Sequence, residues 1–126
     1  TFLEGRDVNL CSIVLELQYE GLRHNRFKAL LTGDIVPPAT DEMAETISKV
    51  DILKVPHHGS KNGLTEALAE KTMPNLAVIS DGKDNKFGHP HQETMDILEK
   101  LGIKTMRTDQ VGEIEVVTDG ERWWIN

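Results

Sequence analysis

The residues with the most chemical capacity stand in three short polar strings. These are Gly33-Asp34, His57-His58-Gly59-Ser60, and Ser80-Asp81 leading through Asn85 to His89. A carboxylate and several imidazoles are good ligands for a divalent cation, and hydroxyl and amide groups can donate to anionic oxygen. Asp34 follows a glycine and can offer its two oxygens to two cations; it can equally be a turn aspartate. Adjacent histidines in extended backbone face opposite ways. One of His57 and His58 can then bind a metal while the other faces a substrate, or both can be surface turn residues. Gly59 allows a sharp turn and a close backbone approach to a ligand. Ser60 can donate to a phosphate oxygen or cap the next helix. His89 stands at the expected start of a helix, where free N–H groups and the helix dipole favour anions. Phosphate contact or proton transfer is open to it, as is the plain role of a loop histidine. His91 reads as an exposed residue of the first helical turn, and His24 carries no role. Asn9 reads as a weak ligand or a turn residue, and Asp109 as a turn residue.

The elements that must position these residues follow from periodicity. Ile13, Leu15, Leu17 and Tyr19 alternate with polar residues, which predicts a half-buried strand. Phe27 to Thr32 is its expected hairpin partner. Pro37-Pro38 breaks the chain, and Thr40 or Asp41 can cap a helix whose apolar face is Met43, Ala44, Ile47 and Val50. Ile52 to Val55 and Leu76 to Ile79 read as buried strands, with a short helix bearing Leu64, Ala67 and Leu68 between them. The next helix has Pro90 at its first position and Gly102 as its stop, and Thr94, Ile97, Leu98 and Leu101 form its buried stripe. Ile103 to Met106 is a further strand. Gly112 to Thr118 and Glu121 to Ile125 form a hairpin across Asp119-Gly120, with Trp123-Trp124 in its packing. Cys11 is expected to be a buried thiol. The order ββ-α-β-α-β-α-β-ββ predicts an α/β layer architecture. All three polar strings then fall at the carboxyl ends of strands, where ligands bind in α/β sheets.

Composition sets the bounds. The chain has 126 residues, of which 38% are hydrophobic and 28% charged, as expected of one core-forming domain over 1–126. Apolar runs are too short for a membrane span, and no basic start followed by an apolar stretch marks a leader. One cysteine excludes an intramolecular disulfide, so a metal site would use the five histidines and the carboxylates. The net charge of −7 argues against binding nucleic acid by basic surface alone. Bound cations can attract phosphates in place of lysines.

Several strings together carry a family resemblance. They are Asn9-x-x-Ser12-x-Val14-Leu15, Leu30-Leu31-Thr32-Gly33-Asp34, and Asp51-x-Leu53-Lys54-Val55-Pro56-His57-His58-Gly59-Ser60. Val78-Ile79-Ser80, Asn85, Gly88-His89-Pro90 and Arg107-Thr108-Asp109-x-x-Gly112 follow in order. The chain resembles the carboxy-terminal half of a metallo-β-lactamase-fold domain, and more narrowly the domain of ComEC-type competence proteins. The resemblance implies part of an αββα sandwich, with a mixed sheet and helices on one face. It implies two divalent ions, zinc or manganese, in the complete domain. Asp34 matches the bridging carboxylate, and His57 is the preferred metal histidine with His58 second. Catalytic roles fall on Asp34, His58 and His89, and substrate contacts on Ser60, Asn85 and His89.

The family's amino-terminal His-x-His/Asp-x-Asp-His cluster is absent from the chain. This implies weak or no metal binding by the chain alone, and a partner in the missing amino-terminal half or a second copy. The implied activity is metal-assisted hydrolysis of DNA or another phosphodiester, linked to DNA uptake. The implied place is a soluble domain outside the bacterial cell membrane, attached to the membrane-spanning part of a parent protein; outside this family it would be cytoplasmic. The alternatives are an inactive structural half-domain, or another hydrolase of the fold such as a lactonase, thioesterase or phosphodiesterase.

Overall fold

A computed structural model describes residues 7–126, so the first six residues of the expected domain lie outside the described residues. The elements are β1 (Leu15–Glu20), β2 (Arg26–Leu31), α1 (Ala39–Thr46), β3 (Ile52–Lys54), α2 (Glu66–Thr72) and β4 (Leu76–Ile79). They continue as α3 (Gln92–Lys100), β5 (Thr105–Arg107), α4 (Thr108–Val111), β6 (Val116–Thr118) and β7 (Trp123–Ile125). The order matches the α/β expectation, with α4 as an added single turn. No helix among the described residues is long and apolar enough to cross a membrane.

Strands β1 to β5 form one mixed sheet in sequential order. β1 and β2 are antiparallel, with Leu15 opposite Leu31 and Glu20 opposite Arg26. β2, β3, β4 and β5 run parallel, each joined to the next through a helix or turn segment. β6 and β7 pair separately as a hairpin.

The pleat sorts the side chains onto two faces. Leu30, Leu53, Ala77 and Ile79 meet Ala44 of α1, Leu68 and Ala69 of α2, and Leu98 of α3 on one face. Phe27, Ala29, Ile52 and Leu76 face the other way, against Val116, Trp123 and Ile125 of the hairpin. The expected packing role of Trp123 holds, while Trp124 is exposed. The core is therefore a sheet between a helix layer and a small ribbon.

The ribbon does not reach across the whole face. Its turn abuts the end of β1, where a Cβ on Gly120 would lie 2.6 Å from Gly21 Cα. Leu15, Leu17 and Tyr19 on β1, with Leu31 opposite Leu15, stay 56%, 48%, 52% and 41% exposed. The alternation expected in this strand is present, but the half-burial is not. Its apolar row lies beyond the ribbon, and its outer edge pairs with no other described strand.

Other boundaries also differ from expectation. Asn9 and Cys11 lie in a single 3-10 turn, Val8–Cys11, before the strand, and Cys11 is exposed. α1 begins at Ala39, so Asp41 lies in its first turn, and Ile47 and Val50 follow the helix while still packing on its core. α3 begins at Gln92 with His91 as its N-cap, so Pro90 and His89 belong to the preceding loop. β5 starts two residues later than predicted, at Thr105.

Burial predicts two contrasting substitutions. Leu53→Ala, at 0% exposure, should lower the unfolding free energy by about 2–5 kcal/mol through cavity formation. Leu17→Thr should change it by less than about 0.5 kcal/mol. Urea denaturation of both variants measures the difference.

Candidate functional site

The carboxyl ends of β2, β3 and β4 deliver the three polar strings to one place. Asp34, His57, His58, Asp81, Gly82, Asn85, Phe87 and His89 line an open pocket of about 410 Å³. The strand order is sequential, so the pocket lies along the strand ends and owes nothing to a reversal of winding.

Asp34 is fixed from several sides. Its N–H donates to Ser12 Oγ at 3.3 Å. Gly33, at φ +56°, passes so close to the segment before β1 that a Cβ would lie 2.9 Å from the Ile13 carbonyl oxygen. The same Gly33 carbonyl accepts from His57 N–H at 3.1 Å and from Lys54 Nζ at 3.0 Å. Thr32 Oγ1 donates to the Lys54 carbonyl at 2.6 Å. The two strand ends are thus laced together beneath the site.

The histidine pair sits in an unusual turn. His57, His58 and Gly59 have φ of +49°, +56° and +78°, three left-handed residues in succession. A non-glycine residue costs about 1–2 kcal/mol in this region, so the surrounding contacts must hold the turn. The Gly59 carbonyl accepts from His91 N–H at 2.9 Å, and Thr94 Oγ1 donates to the Ser60 carbonyl at 3.1 Å. The left-handed backbone aims the two rings differently, as the adjacency of the histidines required.

His58 is the histidine beside Asp34. Its Nδ1 donates to the Ser80 carbonyl at 2.5 Å, which fixes the tautomer and leaves Nε2 at 3.3 Å from Asp34 Oδ1. In the neutral ring, two lone-pair donors then face each other. A proton or a cation between them removes the repulsion. A histidine whose second nitrogen is tied to a backbone carbonyl is the usual arrangement of a metal ligand. The donor pair therefore fits part of a divalent-cation site. Among the described residues no group of three His, Cys, Asp or Glu side chains is gathered for a metal. His57 Nδ1 is buried without a hydrogen-bond partner among the described residues.

The remaining expected residues divide into pocket and scaffold. His89 lies in the pocket with its ring centroid 5.9 Å from His57 and 6.4 Å from His58. Burial, then the neighbouring His91, His57 and His58, lower its pKa, against a smaller opposing pull from Asp34. It is not the helix cap, so the expected dipole-based anion site does not form at this residue. Asn85 also lines the pocket, but its amide is spent on the loop. Nδ2 donates to the Gly82 and His89 carbonyls at 3.1 and 2.7 Å, and Oδ1 accepts from His89 N–H at 2.9 Å. Ser60 is buried outside the pocket lining, where its Oγ accepts from Asn62 N–H at 3.4 Å. His91 is half-buried. Its Nδ1 accepts from Lys61 N–H, and its Nε2 donates to the Phe87 carbonyl.

Sequence reasoning gave no role to four residues at this site. Lys54 is one cation on an otherwise apolar strand, and that interruption was a readable signal. Its Nζ is 4.0 Å from Asp34 Oδ1, and burial lowers its pKa while Asp34 partly opposes the shift. Arg107 grips Asp109 through two hydrogen bonds of 2.9 and 2.6 Å, so Asp109 is an ion-pair partner as well as a turn residue. That grip lowers the Asp109 pKa and raises that of Arg107. Asp81 stands beside this pair with both carboxylate oxygens shut from solvent and no hydrogen-bond partner among the described residues. Burial, then the charge of Asp109, raise its pKa, and Arg107 offsets only part of this. Phe87 is an exposed ring on the pocket wall.

Fold and pocket together define a mixed α/β domain with a histidine and carboxylate site at the ends of its parallel strands. The chain is 37% identical over 109 residues to ComE operon protein 3 of Bacillus subtilis, covering 85% of this chain and 13% of that protein. It is 36% identical over 87 residues to Recombination protein 2 of Haemophilus influenzae, covering 69% of this chain and 11% of that protein. It is 31% identical over 89 residues to Competence protein ComA of Neisseria gonorrhoeae, covering 68% and 13%. The chain therefore spans 11–13% of the length of these curated relatives. No protein-family model matches it.

Two substitutions probe the framework. A Cβ at position 59 would lie 2.6 Å from Pro90 Cβ, on a backbone at φ +78°. Gly59→Ala should destabilise by about 1–3 kcal/mol, seen as a lower thermal midpoint. Asp81 binds its proton more tightly in the folded state, so its burial costs stability above its raised pKa. That cost fades as pH falls towards the ordinary aspartate range. Asp81→Asn should therefore stabilise at pH 7, with a gain that shrinks on acidification. Denaturation midpoints measured between pH 7 and pH 4 check the sign.

Proposed function

We propose that this chain is the carboxy-terminal half of a metallo-β-lactamase-type αββα domain that hydrolyses phosphodiesters with divalent cations, in the service of DNA uptake. The observation that carries this reading is the Asp34–His58 contact, with His58 Nδ1 tied to the Ser80 carbonyl and Nε2 turned to the carboxylate. The uncovered row of Leu15, Leu17, Tyr19 and Leu31 supports the half-domain part, because a second sheet layer packing there would bury it. The competence names of the relatives support the link to DNA uptake.

In this reading Asp34 and His58 would hold zinc or manganese, His58 in place of the His57 first expected because its Nε2 is the one beside Asp34, and the missing amino-terminal half would supply further ligands for two ions. Bound there, a divalent cation would acidify water and neutralise charge on the phosphoryl oxygens. Lys54 keeps positive charge beside Asp34 and holds the Gly33 carbonyl, which keeps the carboxylate in register. His89, held towards its neutral form, can accept a proton or donate N–H to phosphate oxygen. Its pocket position suits contact with substrate. Asn85 serves the same end by locking the His89 backbone, and Ser60 by locking the histidine turn. The isolated chain is expected to be inactive because its ligand set is incomplete.

In the complete parent domain, Asp34→Ala and His58→Ala should each reduce manganese- or zinc-dependent cleavage of an oligonucleotide more than about 100-fold. Cleavage at the parental rate by either variant would overturn the assignment.

A further inference from the structure

The β4–α3 loop carries a feature that hydrolysis alone does not use. Phe87 keeps 66% of its surface in water on the pocket wall, whereas Phe27 is 7% exposed. A lone exposed ring is ordinary; its setting here is not. The Phe87 and His89 rings lie 24° from parallel with centroids 5.8 Å apart, and the His89 and His58 rings lie 8° from parallel at 6.4 Å. These separations fall in the range of offset stacking. Three rings thus form a rough stack from the Asp34–His58 contact out to the pocket rim, and Phe87 is its outer member.

The loop is pinned on both sides of this ring. Asn85 closes the loop through Gly82 and His89, and His91 Nε2 donates to the Phe87 carbonyl at 3.2 Å. The backbone position of Phe87 is therefore set, and its side chain is left to solvent. In a chain of net charge −7, the same loop carries Lys83 and Lys86. Lys86 Nζ lies 5.3 Å from the Phe87 ring centroid. That exposed cation can move from the ring to an arriving phosphate.

We propose that Phe87 is a stacking subsite for one nucleobase of the substrate, with Lys86 as the partner of an adjoining phosphate. The proposal rests on the phosphodiester reading and deepens it. A ring face can stack only on a base whose own face is free. Inside a duplex both faces of each base are covered by neighbours. The subsite therefore selects unpaired or terminal nucleotides over duplex interiors, and it tolerates any base because every base offers a π face.

The test compares two single-stranded probes with identical phosphates, an octathymidylate and its abasic counterpart, binding the 126-residue chain. The expected result is tighter binding of octathymidylate by roughly 5- to 140-fold. Phe87→Ala should abolish that preference and leave the abasic affinity unchanged, and Phe87→Trp should retain the preference. Lys86→Ala should weaken both probes alike and flatten their salt dependence. Equal binding of both probes by the parent chain would overturn the subsite while leaving the phosphodiester reading standing. So would a preference that survives Phe87→Ala. Binding of neither probe would likewise overturn the subsite, whereas the phosphodiester reading is judged by cleavage in the complete parent domain.

Discussion

The arrangement depends on one backbone constraint, the succession of left-handed residues at His57, His58 and Gly59. This turn sends the two imidazoles to different surroundings while it brings the chain back to the start of α3, where His91 N–H donates to the Gly59 carbonyl. The cost of placing histidines there is met by contacts from three other segments. Gly33 holds the turn from the β2 side, Ser80 from the β4 side, and His91 and Thr94 from α3. Strain collected in this way is characteristic of sites whose geometry is over-determined by their surroundings. Within the turn, Gly59 has no room for a side chain, because Pro90 occupies the space.

Much of this was legible in the sequence. The apolar runs at 52–55 and 76–79 read correctly as buried strands because residues on both faces of the sheet are hydrophobic, one set meeting helices and the other the ribbon. The polar strings at their ends were legible for the same reason, as abrupt interruptions of apolar runs. β1 misled, since alternation records a preference for burial and cannot say whether anything covers the strand. Cys11 misled in a related way, because an apolar neighbourhood in sequence became a turn with its thiol in water. The start of α3 slipped because proline at a first helical position looks the same as proline in the loop before it. Asp81, Asp109 and Arg107 needed the fold itself. The first lies 28 residues from the second, and only the pairing of β4 with β5 brings them together.

The electrostatics of the pocket are finely divided for an acidic chain. Asp34 has Lys54 and His58 beside it, and Asp109 has Arg107, while Asp81 has no cation of its own. Arg107 lowers the Asp109 pKa, while burial and the charge of Asp109 raise that of Asp81. Solvent does the least at Asp81, whose oxygens it does not reach.

Asn85 has a wider consequence. Its side-chain amide makes three of the links that close the loop between Gly82 and His89, beside the backbone bonds from Asn85 N–H to the Gly82 carbonyl and from Gly88 N–H to the Asn85 carbonyl. The side chains at 83, 84, 86 and 87 take no part in that closure. Lys83 and Lys86 are exposed and stand outside these links, so they can be exchanged without breaking them. The charge that the loop turns to solvent can therefore vary while its anchorage to Gly82 and His89 stays fixed.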